Sequence, residues 1–219
     1  MDRSTLPMAA IMMTLAALTS CQSANAPDAG ASGGAAMTAP TAVPDVRPVA
    51  NPAPRQRYAL TLRFDGLPGA LTDIAATADF EVENRECVPY DYSRAAGGVR
   101  LPPRYSVPLA LQRIDDSTYI ATLHEDALLD DDYYGLGVCR WALNTATVHF
   151  HSASTHFVGG IDAERLAAEA EVVDHYLARD FAQKPTPMDV VFGEESPDFY
   201  QSAAGPQFTL AIASRKEAP

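Results

Sequence analysis

The sequence is poor in positive charge and in cysteine. It has 16 Lys plus Arg residues against 28 Asp plus Glu residues, a formal net charge of −12, and only 3 cysteines. Binding to nucleic-acid phosphates needs a basic face, so this balance argues against nucleic acid as a partner. An acidic surface that binds a protein favours a basic one.

The common catalytic motifs are missing from residues 57–219, the part of the chain that we expect to fold. That range has no G-x-S-x-G nucleophile turn, no phosphate loop and no dinucleotide fingerprint. A pair of carboxylates for sugar cleavage stays open, because acidic residues abound and their separation is not visible in a sequence. We therefore expect a protein that is not an enzyme and that needs no cofactor.

A short apolar run, residues 8–18, stands near the N-terminus behind Arg3. The run is too short for a membrane-spanning helix, which needs about 20 apolar residues. A charged start, a short apolar core and small residues after it are typical of a secretion signal. The segment that follows, Leu18-Thr19-Ser20-Cys21, resembles the lipobox of bacterial lipoproteins.

The resemblance to lipoproteins predicts how the N-terminus is processed. Residues 1–20 would be removed as a signal peptide, and Cys21 would carry diacylglycerol on its sulfur and an acyl chain such as palmitate on its amino group. Gln22 stands where an aspartate commonly marks retention in the inner membrane. The resemblance therefore implies an outer-membrane lipoprotein that faces the periplasm, held stably because several acyl chains insert together.

Residues 21–56 and 57–219 differ sharply in composition. Ala, Pro, Gly and Ser dominate residues 22–56, which show no apolar period and contain no aromatic residue. Such a segment cannot bury enough apolar surface to offset its ordering entropy, so we expect a lipid anchor followed by a disordered tether. Residues 57–219 have the usual size of one domain with its own core.

Alternating apolar and polar residues predict strands across this domain. The alternating segments are residues 58–64, 79–83, 118–123, 145–151 and 207–213. Asp115-Asp116-Ser117 predicts a turn that joins residues 107–114 to residues 118–123 as a hairpin. Short strands separated by Gly, Pro and Asp predict a mainly β fold, either an antiparallel sandwich or a barrel-like sheet.

Residues 163–182 have the composition of a helix instead. Good helix formers dominate, apolar residues recur at three- and four-residue spacing, and Asp162 is placed to cap the first turn. Residues 172–177 also fit a strand, so both interpretations stay open for that part.

With Cys21 modified by lipid, Cys87 and Cys139 remain as a pair. In an oxidising compartment the two are expected to form a disulfide. Closing the long loop between the two cysteines would stabilise the fold by roughly 4 kcal/mol, because it lowers the conformational entropy of the unfolded chain. A bridge would also leave no free thiol for thiol catalysis.

The predicted disulfide brings two unusual segments together. The tyrosines and aspartates that it would gather are Tyr90, Tyr92, Asp130, Asp131, Asp132, Tyr133 and Tyr134. Exposed tyrosines edged by charge are typical of protein-binding surfaces, so these are our candidate partner-binding residues. The alternative is that some of the tyrosines belong to the core and the aspartates cap a turn. Calcium is not expected, because the run lacks the glycine and the closing glutamate of the helix–loop–helix calcium motif.

Three histidines are weak candidates for a metal site. His149 and His151 share one face of a predicted strand, and His156 follows five residues later. A zinc ion needs ligand nitrogens at about 2.0–2.1 Å in a tetrahedral array. Histidines on the outer face of a strand also occur without metal, and for this reason we expect no metal here.

The segment 87–141, which ends in YYGLGVCRW, resembles immunity-type periplasmic lipoproteins of xanthomonad-like bacteria. That resemblance implies a lipid-anchored binding protein that neutralises a secreted antibacterial toxin. Together with the acidic charge of the chain, it predicts a basic secreted enzyme as the partner. The alternative function is an envelope structural or assembly lipoprotein that binds another outer-membrane component.

Overall fold

The computed structural model of the chain describes residues 43–183, 190–200 and 205–218. The predicted signal peptide, Cys21 and residues 22–42 of the predicted tether lie outside these ranges. Within them, no helix combines the length and the apolar character needed to cross a membrane.

Strands make up most of the regular secondary structure of the described chain. They are β1 (Arg57–Asp65), β2 (Asp73–Val82), β3 (Arg104–Leu109), β4 (Gln112–Arg113), β5 (Thr118–His124), β6 (Trp141–His151), β7 (His156–Asp162), β8 (Glu171–Leu177), β9 (Val190–Phe192) and β10 (Gln207–Glu217). The described helices are short: α1 (Ala163–Ala167), α2 (Ala178–Ala182) and the 3₁₀ turns Arg85–Cys87 and Pro197–Tyr200.

The strands form two five-stranded sheets that pack against each other. Sheet 1 has the order β4-β5-β1-β10-β8 and is antiparallel throughout. Sheet 2 has the order β3-β2-β6-β7-β9 and is antiparallel except for the parallel pair β7–β9. The predicted mainly β fold is confirmed, and of the two architectures left open it is the sandwich.

The core lies between the sheets and is built by period-2 alternation, as predicted. The inward residues of β1, β6 and β10 include Tyr58, Leu60, Leu62, Phe64, Val148, Phe150, Phe208, Leu210 and Ile212, all of them buried. The Phe150 ring stacks on Phe157 with centroids 5.1 Å apart and meets Tyr176 edge to face at 5.3 Å. Burial of one such side chain stabilises the fold by about 1.5–3 kcal/mol.

The predicted hairpin is present only in part. β4 pairs with β5, and Asp115 Oδ1 accepts a hydrogen bond from the Ser117 backbone N–H in the turn between them. β3, however, pairs with β2 in sheet 2. The chain therefore crosses from one sheet to the other between Leu109 and Gln112, a change of sheet that alternation within one strand cannot reveal.

Residues 163–182 do not form one continuous helix: they form α1, β8 and α2, and the strand interpretation left open for residues 172–177 is confirmed. Asp162 caps α1 as predicted, since its Oδ1 accepts a hydrogen bond from the Arg165 backbone N–H at 2.8 Å. The helix ends after one turn, Glu169 adopts a left-handed φ of 53°, and β8 then pairs with β10 along its whole length. Alternating burial of Val172, Asp174 and Tyr176 against sheet 2 outweighs the helix propensity of the segment, which is only a weak local preference.

The folded part starts before the expected boundary at Arg57. The Leu129 backbone N–H donates to the Val49 carbonyl and the Asn51 backbone N–H donates to the Ala127 carbonyl, each at 2.8 Å. Asp126 accepts hydrogen bonds from the backbone of the residues just before β1. The last residues of the predicted tether thus pair with the loop after β5 and belong to the domain.

Candidate functional site

A disulfide holds one end of the sandwich together. Cys87 and Cys139 are bonded, with their sulfur atoms 2.06 Å apart, and both residues are buried. With Val82 and Val88 they form a small apolar cluster separate from the main core, and Trp141 packs against it. The predicted bridge is confirmed, and it joins the 3₁₀ turn after β2 to the loop that precedes β6.

Asn84 holds the same two segments together by hydrogen bonds. Its side-chain amide donates to the Val138 carbonyl at 2.8 Å, and its Oδ1 accepts from the Arg140 backbone N–H at 2.7 Å. The side chain is buried, so these bonds satisfy groups that water cannot reach. Together with the disulfide, Asn84 fixes the position of the loop relative to β2.

The three aspartates of the predicted binding segment hold the loop in shape. Asp130 Oδ1 accepts from the Trp141 backbone N–H at 2.9 Å, and Asp132 Oδ1 accepts from the N–H groups of Leu136 and Gly137 at 2.9 and 3.1 Å. Asp131 accepts from the next backbone N–H along the chain. The turn-capping interpretation is therefore right for one oxygen of each carboxylate, while the three residues remain exposed to solvent.

The four predicted tyrosines divide into two pairs. Tyr90 and Tyr92 are 48% and 55% exposed, and their ring centroids lie 6.0 Å apart. The Arg100 guanidinium lies 4.4 Å from the centroid of Tyr90. Tyr133 and Tyr134 are half-buried against the disulfide cluster, and the Tyr133 hydroxyl donates to the Leu129 carbonyl at 2.6 Å. Tyr90 and Tyr92 are thus available to a partner, and Tyr133 and Tyr134 are mainly structural.

Exposed apolar side chains concentrate at this end of the domain. Of the ten large hydrophobic residues that are exposed in the described chain, seven belong to the segments tied together by the disulfide and by the pairing of Val49 with Leu129. They are Val49, Tyr90, Tyr92, Leu101, Leu129, Leu136 and Val138, and we call them the disulfide-end surface. A pocket of about 280 Å³, lined by Tyr134, Leu101 and residues next to Tyr90, lies at the same end.

The three candidate metal histidines come together on the outer face of sheet 2. His149 Nδ1 lies 3.0 Å from His156 Nε2, and the rings of His151 and His156 stack with centroids 4.3 Å apart. Burial, followed by the charges of His151 and His149, lowers the pKa of His156. As the side chains stand, no three acidic, histidine or cysteine groups within the described ranges are arranged to hold a metal ion.

One buried carboxylate lies at a place that the sequence analysis missed. Asp174, on β8, is only 5% exposed, and its Oδ2 accepts a hydrogen bond from the Gly160 backbone N–H at 3.1 Å. β9, the strand that pairs with β7, ends at Phe192. Beyond that point the Asp174 carboxylate accepts the hydrogen bond from the β7 backbone. Burial is the largest cause that raises the pKa of Asp174 to about 6, although the Gly160 hydrogen bond acts in the opposite direction.

Two glycines make room for this carboxylate. A Cβ atom at Gly159 would lie 2.5 Å from Asp174 Oδ2, and one at Gly193 would lie 2.5 Å from Asp174 Cβ. A shallow pocket of about 260 Å³ opens beside Asp174, with Arg165 and the exposed Phe192 in its wall. The signal for this site in the sequence was the pair Gly159-Gly160 in β7, because a glycine inside a strand often marks a place where another group approaches the backbone closely.

Asn84 carried no comparable signal, since a lone asparagine after a strand is an ordinary loop residue. Only the disulfide, by bringing Val138 and Arg140 next to it, gives its side chain two partners.

Comparison of the chain with known protein families, with curated proteins and with solved structures finds no match.

Proposed function

We propose that the protein is a lipid-anchored periplasmic binding protein whose disulfide-end surface binds another protein. The observation that carries the proposal is the concentration of exposed Tyr, Leu and Val side chains at one end of the sandwich. Apolar groups left in water and gathered in one place are typical of interaction sites, whereas scattered ones are not. Exposed tyrosines supply contact area with little loss of side-chain freedom on binding.

The construction of this end also favours binding. The disulfide and the two Asn84 hydrogen bonds fix the loop that carries Leu136 and Val138. A surface that is already fixed loses less conformational entropy when a partner docks, so more of the contact energy appears as affinity. We therefore expect the disulfide-end surface to bind its partner without a change of conformation.

The chemistry of the partner follows from charge. Asp130, Asp131 and Asp132 are exposed beside the apolar residues, and the chain has a net charge of −12. A basic partner would be steered toward such a face and would associate faster at low salt. We propose that the partner is a basic secreted enzyme that the protein neutralises, which agrees with the immunity-type resemblance of segment 87–141.

A capture experiment with matched variants tests the proposal. The oxidised protein, immobilised, is exposed to envelope and secreted proteins, and bound proteins are identified by mass spectrometry. A triple variant Tyr90→Ser/Tyr92→Ser/Leu136→Ser removes three apolar side chains of the disulfide-end surface. The control Ile114→Ser/Phe192→Ser removes two exposed apolar side chains that lie elsewhere.

We expect one protein to be retained by the wild type and the control and lost with the triple variant. Retention of the same protein by the triple variant would contradict the assignment of the surface. A basic secreted enzyme held at one-to-one supports toxin neutralisation. A resident outer-membrane or cell-wall component supports the alternative, an assembly lipoprotein, and the toxin proposal would be rejected.

The lipid anchor is a separate proposal and has its own test. Cells grown with a labelled fatty acid should incorporate the label into the wild-type protein and not into Cys21→Ser. The variant should also move from the membrane fraction to the soluble fraction, because no acyl chain then inserts into the bilayer. A Cys21→Ser protein that still sediments with membranes would contradict anchoring through this residue.

A further inference from the structure

We propose that His149, His151 and His156 form a binding site for a zinc ion on the outer face of sheet 2. The site is independent of the disulfide-end surface, and no feature of the proposed partner binding depends on it. Imidazole nitrogen is a preferred zinc ligand, and three protein ligands with one open position are sufficient to hold the ion.

The backbone brings the three imidazoles together. His149 and His151 are two residues apart on β6 and point to the same face of the sheet. His156 begins β7 and is the direct cross-strand neighbour of His151. Side chains paired directly across two antiparallel strands have Cβ atoms about 4.5–5.5 Å apart, close enough for two rings to share an ion.

Two of the three ligand nitrogens are already close to zinc-binding distance. His149 Nδ1 and His156 Nε2 face each other at 3.0 Å. Two nitrogens bound to the same tetrahedral zinc at 2.0–2.1 Å lie about 3.3 Å apart, so the pair needs to open by only a few tenths of an ångström. Each ring would then carry its hydrogen on its other nitrogen, which frees the two facing lone pairs.

The third ligand needs one side-chain rotation. The His151 ring is stacked on His156, so its nitrogens do not yet converge with the other two. Its Nδ1 atom is buried without a hydrogen-bond partner in the described part of the chain, and it lies 3.9 Å from Asp73 Oδ2. Turning the ring toward Asp73 would satisfy Nδ1 and aim Nε2 at the ion, with the carboxylate orienting the ligand in the manner common at metal sites.

The three rings must be neutral to bind a metal ion. A metal ion binds only the unprotonated nitrogen, which means that protons compete with zinc as the pH falls. Zinc binding should therefore weaken from pH 7.5 to pH 5.

Isothermal titration of the untagged full-length protein with zinc chloride tests the site. An affinity tag of histidines must be absent, because it would bind zinc itself. We expect one zinc ion per chain, at least a hundredfold weaker binding for His156→Ala and for His149→Ala, and about tenfold weaker binding for Asp73→Asn. The control variants His124→Ala and His175→Ala change the two histidines outside the cluster and should bind like the wild type.

Circular dichroism and thermal melting of each variant separate loss of the site from loss of the fold. Zinc should raise the Tm of the wild type and of both controls and leave the Tm of folded His156→Ala unchanged. No binding by the wild type at submillimolar zinc would overturn the proposal. Binding that survives in folded His156→Ala or that is lost in a control variant would overturn it as well.

Discussion

Replacement of the buried carboxylate Asp174 by asparagine should stabilise the protein at pH 8 and change its stability little at pH 4. The folded state raises the pKa of Asp174 to about 6, chiefly by burial, while an unfolded chain returns it to about 3.9. A carboxyl group whose pKa is raised in the folded state stabilises the fold most in its protonated form. That contribution is complete below about pH 4 and is lost as the pH rises through about 6.

The size of the effect follows from the shift. A difference of about two pKa units corresponds to roughly 3 kcal/mol between the two ends of this pH range, at about 1.4 kcal/mol per unit. Asparagine keeps a side-chain oxygen for the Gly160 backbone N–H and carries no charge to desolvate. Its amide hydrogens need partners of their own, so we expect Asp174→Asn to gain about 1–3 kcal/mol at pH 8 and little at pH 4.

Urea unfolding of the wild type and of Asp174→Asn at pH 4, 6 and 8 measures this difference directly. The control is Asp65→Asn, which changes an exposed aspartate at the end of β1 and should alter the free energy of unfolding little, as exposed substitutions usually do. A loss of stability in Asp174→Asn that is equal at pH 4 and pH 8 would contradict this prediction. Such a result would mean that the charged form of Asp174 is compensated by contacts that outweigh its burial.

Three further variants probe the parts of the structure that hold the proposed surface and the sheet edge. Changing both Cys87 and Cys139 to alanine should lower the free energy of unfolding in urea by roughly 4 kcal/mol relative to the oxidised wild type, and the reduced wild type, as the control, should unfold like the variant. Asn84→Ala leaves the Val138 carbonyl and the Arg140 N–H without partners, so it should cost about 1–3 kcal/mol and weaken partner capture, whereas the exposed Asn144→Ala should do neither. Gly159→Ala puts a Cβ 2.5 Å from Asp174 Oδ2 and should lower the Tm by several degrees, while Gly97→Ala, with open space around it, should change the Tm little.

Much of the sandwich could be predicted because its strands are regular and half-buried. Every second residue is apolar from Tyr58 to Phe64 in β1 and from Phe208 to Ile212 in β10, and those residues fill the core. Local alternation carries that information, so no distant part of the chain is needed to infer it. The disulfide could be predicted as well, because only Cys87 and Cys139 remain to pair when Cys21 is expected to carry lipid.

The rest depended on pairing between distant parts of the chain. The sequence of residues 171–177 is compatible with both a helix and a strand, and their pairing with β10 decides for the strand. Asp174 becomes a buried weak acid because β9 ends beside it and two glycines clear the space. The contact between His149 and His156 likewise needs the β6–β7 register, which a single sequence does not specify.

Site-specific photo-crosslinking in intact cells tests the proposed binding surface most directly. A photoreactive amino acid replaces either Leu136, on the disulfide-end surface, or Ile114, which has nearly the same exposure in the turn after β4. With the partner present, we predict one defined crosslinked product from position 136 and none from position 114. Crosslinking at position 114 alone, or at neither position with a partner that the wild-type protein captures, would contradict the account.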